Sequence, residues 1–365
     1  MSQVNVADHR ARRARLRERL GALDLDALLV TEPVNVRWCT GFTGSNGQLL
    51  LRATGEDLLI TDARYDERAG AEAPDLPRAL DRDPVGLAIR RMSPPFRVGF
   101  EAEHLTWQAG QRLRERVIDA GGAGVPTTGE VEELRTVKDE REIALLREAC
   151  EITTSALGWL LDEQVQPGIT EARLARLLED RFLDLGAEGI AFDTIVASGP
   201  NAAIPHHAPS DRVLQRGDML TIDCGARVGG YHADCTRTVG LGHVPDLLHD
   251  VHRLVQQAQA AGRSAAVAGA TGGDVDAAAR QVIDKAGFGQ EFVHGTGHGV
   301  GLEIHEAPAV ARRAAATLVA GMTLTVEPGV YLPGLGGVRI EDTVVVNADG
   351  PATPLTDLPR ELRLL

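Results

Sequence analysis

The sequence predicts an α+β protein of two domains: a smaller N-terminal α/β domain over residues 1–124, a linker over 125–138, and a larger domain over 139–365. Three observations carry this reading. A chain of 365 residues divides into two domains more readily than it forms one. Its first third alternates apolar strand-like runs with helical ones. The remainder interleaves long amphipathic helices with short, glycine-punctuated strand-like segments, each holding an acid or a histidine.

In the first domain DALLV (26–30), GQLLL (47–51), DLLIT (57–61) and RVGF (97–100) read as strands, and Leu105 to Ile118 as a helix. The N-terminus predicts an amphipathic helix with Leu16, Leu20 and Leu23 on one face. NVRWCTGFTGSNG (35–47), with Trp38 and Phe42 inside it, reads as a loop rich in Gly, Ser, Thr and Asn. GGAGVPTTGE (121–130) is small and polar and reads as part of the linker.

Beyond it, Asp139 and Glu142 have capping-box spacing, and Ile143, Leu146, Cys150, Leu157 and Leu160 form a helical apolar stripe. Pro167-Gly168 stops that helix. Thr170 caps the next, which carries Leu174, Leu177 and Leu178. Two further helices are expected, near 246–267 and 274–286.

A net charge of −14 argues against a nucleic-acid partner. Four cysteines without a CxxC pair fit a reducing cytosol, and a cytoplasmic location is expected. The basic N-terminus lacks an apolar signal core, and Asp8 and Glu18 argue against a transit peptide. No apolar run approaches the ~20 residues of a bilayer span.

Chemistry concentrates in five segments: LTIDCG, HADCTRT, HGTGHGVG, TVEPG and GVRIEDT. Met219–Arg227 and Tyr231–Val239 read as strands joined by a turn at 228–230. Side chains alternate along a strand, so Asp223 shares a face with Thr221, and Asp234 with His232, Thr236 and Thr238. Folding about the glycine pair sets Asp223 and Asp234 nearly opposite, with β-carbons of such neighbours roughly 5 Å apart. Buried carboxylates that close repel unless a proton or cation lies between them. Thr323, Thr325 and Glu327 likewise share one face, and Arg339, Glu341 and Thr343 another, while Ile340 and Val344 point away. Four strands, each pairing an acid with threonines, predict a sheet whose polar face lines a cavity. Such an oxygen-rich set with one imidazole suits two divalent cations.

His294 and His298 have the i, i+4 spacing of a helical zinc site, but Gly295 stands where the zincin pattern needs Glu. The glycines there forbid a stable helix, and the dinucleotide fingerprint fails at Val300. His305 lies further along the same segment. SGPNAAIPHH (198–207) adds His206 and His207 without metal-ligand spacing.

In order and in residue type, these segments resemble the pita-bread metallopeptidases, in the branch of Xaa-Pro aminopeptidase (aminopeptidase P) and Xaa-Pro dipeptidase (prolidase). The resemblance covers the C-terminal two-thirds of the chain. NVRWCTGFTGSNG and ITDARYDERA also resemble that branch's creatinase-like N-terminal domain. It implies two divalent metal ions per chain, Mn(II) first, with Co(II) or Zn(II) among relatives. Asp223 and Asp234 would ligate one ion, Asp234 would bridge to the second, His298 and Glu327 would complete it, and Glu341 would bridge. His206 matches the histidine that stabilises the tetrahedral intermediate. His305 matches one that contacts the substrate's peptide group. His294 and Tyr331 match cleft residues, and Arg339 an arginine that holds the metal carboxylates. His207 has no counterpart in this set and is expected to be structural or at the rim. Glu327 is the expected proton carrier.

Within the branch the reading is aminopeptidase P, acting on peptides with proline second; the alternative is prolidase. Prolidase-like chains often place Arg after the Pro of the HExP segment; here His305-Glu306-Ala307-Pro308 is followed by Ala309, with Arg312 and Arg313 nearby. A remote alternative is a metal-free creatinase-like hydrolase or a non-enzymatic pita-bread binding module, but such proteins lack several of the ligand types present here. The resemblance also implies a homodimer.

Overall fold

The computed structural model describes residues 6–365, and the chain divides between Arg135 and Thr136 into two compact units. The first contains α1 (Val6–Ala22), β1 (Ala27–Val30), α2 (Pro33–Thr40), β2 (Gly47–Arg52), β3 (Leu58–Thr61), α3 (Asp66–Glu72), β4 (Arg78–Leu80), α4 (Pro84–Arg90), β5 (Phe96–Glu101), α5 (Trp107–Asp119), β6 (Gly122–Thr127) and α6 (Glu132–Arg135). Its strands form one mixed sheet in the order β4-β3-β2-β1-β5-β6. Ala27, Leu29, Leu50, Val98 and Phe100 pack on Ala88 and Ile89 of α4 and Leu113 and Val117 of α5. The alternate residues Leu28, Leu49 and Leu51 are also fully buried, and α1 and α2 pack against β2. Burial on both faces explains why these strands read as continuous apolar runs.

Three expectations are corrected in this unit. Much of the expected loop 35–47 is helix α2. Pro33 opens it, where a missing N–H costs nothing, and Gly41 at φ 81° closes it. Trp38 and Phe42 are buried core. Leu23 lies beyond the end of α1 and is exposed, whereas Leu16 and Leu20 are buried. Two arginines of α1 are buried in the fold: Arg13 donates to Cys39 O (2.8 Å) and pairs with Asp57 and Asp75, and Arg12 sits over the Trp38 ring. The expected linker contains β6 and α6. β6 pairs in parallel with β5 from Phe96↔Gly122 to Glu101↔Thr127. It occupies a sheet edge, where Pro126 is tolerated, and Gly122 lies so close to the Phe96 ring that a β-carbon would stand 2.5 Å from it.

The second unit begins with α7 (Glu140–Glu163) and α8 (Glu171–Asp184). Asp139 and Glu142 form the expected capping box, and Thr170 caps α8. Then come β7 (Gly189–Ile190), β8 (Ile195–Ser198), β9 (Met219–Cys224), β10 (Ala226–Val228), β11 (Tyr231–His232), β12 (Cys235–Gly240), α9 (Asp246–Ala265) and α10 (Gly272–Lys285). The remainder is β13 (Gly297–Gly299), β14 (Glu306–Val310), β15 (Thr323–Val326), β16 (Gly329–Leu332), β17 (Gly336–Arg339), β18 (Asp342–Val345) and β19 (Thr353–Pro354). The sheets run β12-β9-β8, β11-β10-β7, β14-β13-β15-β18-β19 and β16-β17.

Each helix pair covers the apolar back of a strand group. Leu157, Leu160, Leu174, Leu178 and Phe182 pack on Leu220, Ile222 and Val239. Val251, Val255, Ala279 and Ile283 pack on Val330, Val338 and Ile340. The other strand faces carry buried threonines: Thr221, Thr236, Thr238, Thr323, Thr325 and Thr343.

Three segments expected as single strands are broken, among them Tyr231–Val239, which divides into β11 and β12 in different sheets. The chain bends at Gly225, where a β-carbon would stand 1.9 Å from Ala233 O. The GVRIEDT segment changes partners: β17 pairs with β16, the Glu341 N–H donates to Thr236 O (3.1 Å), and β18 then pairs with β15.

Behind that seam lies a buried polar cluster that strand alternation did not reveal. Asp342, fully buried, receives Arg237 (2.9 Å), Gln259 (2.7 Å), Thr356 (2.9 Å) and Arg360 (2.5 Å). It ties β12, α9 and the C-terminal segment to β18. Among the described residues no helix is long and apolar enough to cross a membrane.

Removing one partner of a buried ion pair leaves an uncompensated charge and costs about 3–5 kcal/mol. Asp342→Asn is therefore expected to destabilise the unit by that amount in denaturant titrations followed by circular dichroism. A loss under about 1 kcal/mol, the worth of an exposed pair, would show that the cluster does not hold the seam.

Candidate metal centre and active site

The polar strand faces converge on the floor of a cavity of about 500 Å3. Asp223 stands near the end of β9, Asp234 just before β12, and Glu341 between β17 and β18. All three are buried, and one carboxylate oxygen from each lies within 4.8 Å of the others. The β9–β12 register pairs Asp223 with Thr236. Asp234 is therefore a diagonal neighbour of Asp223 on the same face rather than its direct opposite.

The supporting hydrogen bonds leave a pattern of unused oxygens. Asp223 Oδ2 accepts from Arg339 Nη2 at 2.7 Å, and Glu341 Oε2 accepts from Thr236 Oγ1 at 2.7 Å. Asp223 Oδ1 and Glu341 Oε1 are buried without a partner. Buried polar atoms are nearly always hydrogen-bonded, so two orphaned carboxylate oxygens in one cluster mark where a cation fits.

His298, on β13, extends the donor set. Its Nδ1 faces Gly299 O at 3.0 Å. A carbonyl only accepts, so Nδ1 carries the proton. Nε2 is left 3.5 Å from Asp234 Oδ2 and 3.3 Å from Glu327 Oε1. Glu327, just past β15, is held by Thr325 Oγ1 (3.1 Å) and by its own N–H to Thr296 O (2.7 Å). The set of four carboxylates and one imidazole fits hard to borderline divalent cations.

The electrostatics agree with this geometry. Burial, with the charges of Glu341 and Asp223, pushes the Asp234 carboxyl well above its ordinary range. Burial, with Glu327 and Asp223, does the same to Glu341. Burial also acts to raise Glu327, but the hydrogen bond and charge of His298 outweigh it and hold the carboxyl near 2.

Around the floor stand the other sequence-predicted residues. His206, His294, His305 and Arg339 line the cavity together with Asp223, Asp234, His298 and Glu327. Arg339 donates from Nη1 to Tyr331 OH (2.9 Å) and Pro205 O (3.3 Å). Tyr331 OH lies 2.8 Å from His294 Nε2, and His294 Nδ1 donates to Gly295 O (2.7 Å). The tyrosine therefore donates to the imidazole, closing a chain from Arg339 to His294. Burial drives the Tyr331 phenol up to about 12, so it stays a donor. His305 packs edge-on to His298 with ring centroids 4.4 Å apart. Burial and the neighbouring His298 lower its basicity. His207 is tied to Glu171 at 2.8 Å.

Several residues escaped the sequence reading. Ile190 pairs with Ala226 in one sheet and Ile195 with Asp223 in another, and the crossing between them sets Phe192 and Asp193 at the cavity wall. Asp276 and Arg280, a buried pair on α10, grip the glycine-rich segment: Arg280 donates to Phe292 O (3.1 Å) and His294 O (2.7 Å), and Asp276 accepts from Thr296 Oγ1 (2.9 Å). Helical i, i+4 spacing of Asp276 and Arg280 was the only sequence signal, and it is common to many exposed pairs.

Residues 144–348 match the model of metallopeptidase family M24, and residues 12–137 match that of the creatinase/prolidase N-terminal domain. The chain is 38% identical to an uncharacterised peptidase, YqhT, of Bacillus subtilis, over 96% of this chain and 99% of that one. Its structure is similar to that of an Xaa-Pro dipeptidase from Bacillus anthracis (TM-score 0.93, 36% identity, covering 98% and 100% of the two chains). It is also similar to an X-Pro aminopeptidase from Thermotoga maritima (TM-score 0.86, 36% identity, covering 95% and 100%). The α+β fold expected from the five motifs, a pita-bread domain preceded by a creatinase-like one, is borne out. The chain belongs to metallopeptidase family M24 and is a hydrolase of the kind that works with divalent metal ions.

Proposed function

We propose that this protein is a dinuclear metal-dependent exopeptidase that hydrolyses the Xaa-Pro bond at the N-terminus of peptides, as aminopeptidase P does. The observation that carries the reading is the buried cluster of Asp223, Asp234 and Glu341, with two unpartnered oxygens, beside His298 and Glu327. Asp223, Asp234, His298, Glu327 and Glu341 would together hold the two ions. Mn(II) is the preferred ion, with Co(II) or Zn(II) as substitutes. When bound, such a pair supplies Lewis acidity for the scissile carbonyl and for a water nucleophile.

The chain's own residues do the rest. Glu327 takes the proton of the attacking water and passes it to the departing proline nitrogen. His206 donates to the carbonyl oxygen as negative charge develops there. His305 contacts the substrate's peptide group, and His294 lines the cleft with Tyr331 hydrogen-bonded to it from behind. Arg339 keeps Asp223 aimed through its 2.7 Å hydrogen bond. A homodimer in the cytoplasm is the expected working form.

Among the described residues the only guanidinium lining the cavity is Arg339, which is committed to Asp223, Tyr331 and Pro205 O. Ala309, Arg312 and Arg313 are not among the lining residues. Among the described residues lining the cavity, a dipeptide's free carboxylate thus meets no uncommitted arginine, and an unpaired carboxylate is costly to desolvate. This favours longer peptides. The second reading, prolidase, is favoured by the similarity to the Bacillus anthracis Xaa-Pro dipeptidase.

Three outcomes are expected. Asp234→Ala abolishes both metal content, read by elemental analysis, and turnover, with the circular dichroism spectrum retained; native turnover with two ions bound would refute the ligand set. His206→Ala lowers kcat by about a hundredfold, the usual loss for one oxyanion donor, at unchanged metal content; an unaltered rate would return His206 to a structural role. With Mn(II) loaded, a peptide Xaa-Pro-Yaa has the higher kcat/KM than its dipeptide Xaa-Pro. A tenfold preference for the dipeptide, about 1.4 kcal/mol in the transition state, would reverse the assignment to prolidase.

A further inference from the structure

The loop between β8 and β9 carries His206 but has little structure of its own. From Ser198 it passes through a single 3-10 turn at Gly199–Ala203, runs between Pro205 and Pro209, and returns beside the start of α8. Inside its curve lies one fully buried carboxylate, Glu171, the first residue of α8. Six donor atoms of the loop converge on it: Ser198 N (2.7 Å), Ser198 Oγ (2.7 Å), Asn201 Nδ2 (3.0 Å), His207 Nε2 (2.8 Å), Ser210 N (3.1 Å) and Ser210 Oγ (2.6 Å). These donors span the loop from end to end. On the other flank Pro205 O accepts from Arg339 Nη1 at 3.3 Å, and the loop's Ala202 O lies against Gly337, where a β-carbon would stand 2.1 Å away. The residues on both sides of His206 are thus tied down, Pro205 to Arg339 and His207 to Glu171. The His206 side chain is left exposed to the cavity.

We propose that Glu171 is a positioning residue for the reaction, acting through its grip on loop 198–210 to present the His206 imidazole to the developing oxyanion. The inference rests on the role given to His206 above. Glu171 itself does not line the cavity, so it acts only through the loop. An ionised carboxylate accepts on both oxygens, and its roughly four lone-pair sites are shared among the six donors. Glutamine of the same shape replaces one oxygen with an N–H donor, which would face groups that donate to Glu171; the Ser198 and Ser210 hydroxyls already accept from Arg212. The same hydrogen bonds leave their mark on the acid: burial acts to raise Glu171, but its partners Ser210, Ser198, His207 and Asn201 hold it near 2.

The test is steady-state kinetics of the Mn(II)-loaded enzyme on an Xaa-Pro-Yaa peptide. Glu171→Gln is expected to lower kcat by about ten- to a hundredfold, up to the loss of a whole oxyanion donor, with metal content unchanged and KM within about threefold. Added to His206→Ala, the same substitution is expected to cost less than about twofold more, because residues acting as a unit are not additive. An E171Q rate within twofold of the native one, or an equal loss in both backgrounds, overturns the proposal. Should E171Q not fold, His207→Ala and His207→Gln replace it. The glutamine can still donate to Glu171 and is expected to restore the rate lost in H207A; equal rates in the two variants overturn the proposal. If the native enzyme cleaves no Xaa-Pro peptide, the functional reading fails instead. Limited proteolysis within 199–210 then tests the grip alone, with faster cutting expected in E171Q and equal cutting overturning it.

Discussion

Burying Asp223, Asp234 and Glu341 within 4.8 Å of one another is unfavourable for a protein without cations, and the rest of the C-terminal unit is organised around that constraint. Arg339 offsets one charge directly. Thr236 and Thr325 supply neutral donors to Glu341 and Glu327. Asp223 Oδ1 and Glu341 Oε1 are left over, and His298 turns its Nε2 toward Asp234 and Glu327 beside them. A family of hydrolases that works with divalent ions has a direct use for such a site. The ions offset the repulsion, and the repulsion selects for ions of high charge.

Holding the acids in place requires a rigid back to each strand. Alternation supplies it: the residues between the acids and threonines are Leu220, Ile222, Leu324, Val326 and Val344, packed under two helix pairs. The exception is the Arg237–Asp342 pair, which sits behind the seam where the GVRIEDT segment changes sheets. Two acids adjacent in sequence, Glu341 and Asp342, thereby serve opposite faces. One points to the metal cluster, and the other is buried among guanidiniums.

Apart from His298 on β13, the imidazoles of the cavity come from segments outside helix and strand. Loop 198–210 and the glycine-rich run before His298 have few apolar residues to pack. Each is instead held by a buried acid on a neighbouring helix: Glu171 for the first, and Asp276 with Arg280 for the second. Desolvated hydrogen bonds to a charge are stronger than neutral ones, which suits a loop that must stay fixed while its tip remains open to the cavity.

Local chemistry made much of this legible in advance. The capping residues Asp139 and Thr170, the four long helices of the second unit, the apolar strands of the first, and the grouping of Asp223, Asp234, His298, Glu327 and Glu341 on one cavity all follow from short-range rules: spacing, alternation and turn residues. What those rules missed depends on partners far along the chain. α2 was hidden because Pro and Gly, which end most structure, here open and close a helix. β6 was hidden because an edge strand over a phenylalanine ring needs glycine rather than an apolar stripe. The break between Arg339 and Glu341 follows from a backbone hydrogen bond to Thr236, about a hundred residues away. Glu171 and Asp276 look like ordinary helical acids until the loops they hold are folded over them. The sequence by itself determined which donor atoms this protein has and which strand faces they occupy, since both are set by residue type and a two-residue period. The tertiary structure alone decided which carboxylate oxygens remain unpaired and which acids hold loops instead of facing the cavity, because those depend on long-range hydrogen bonds.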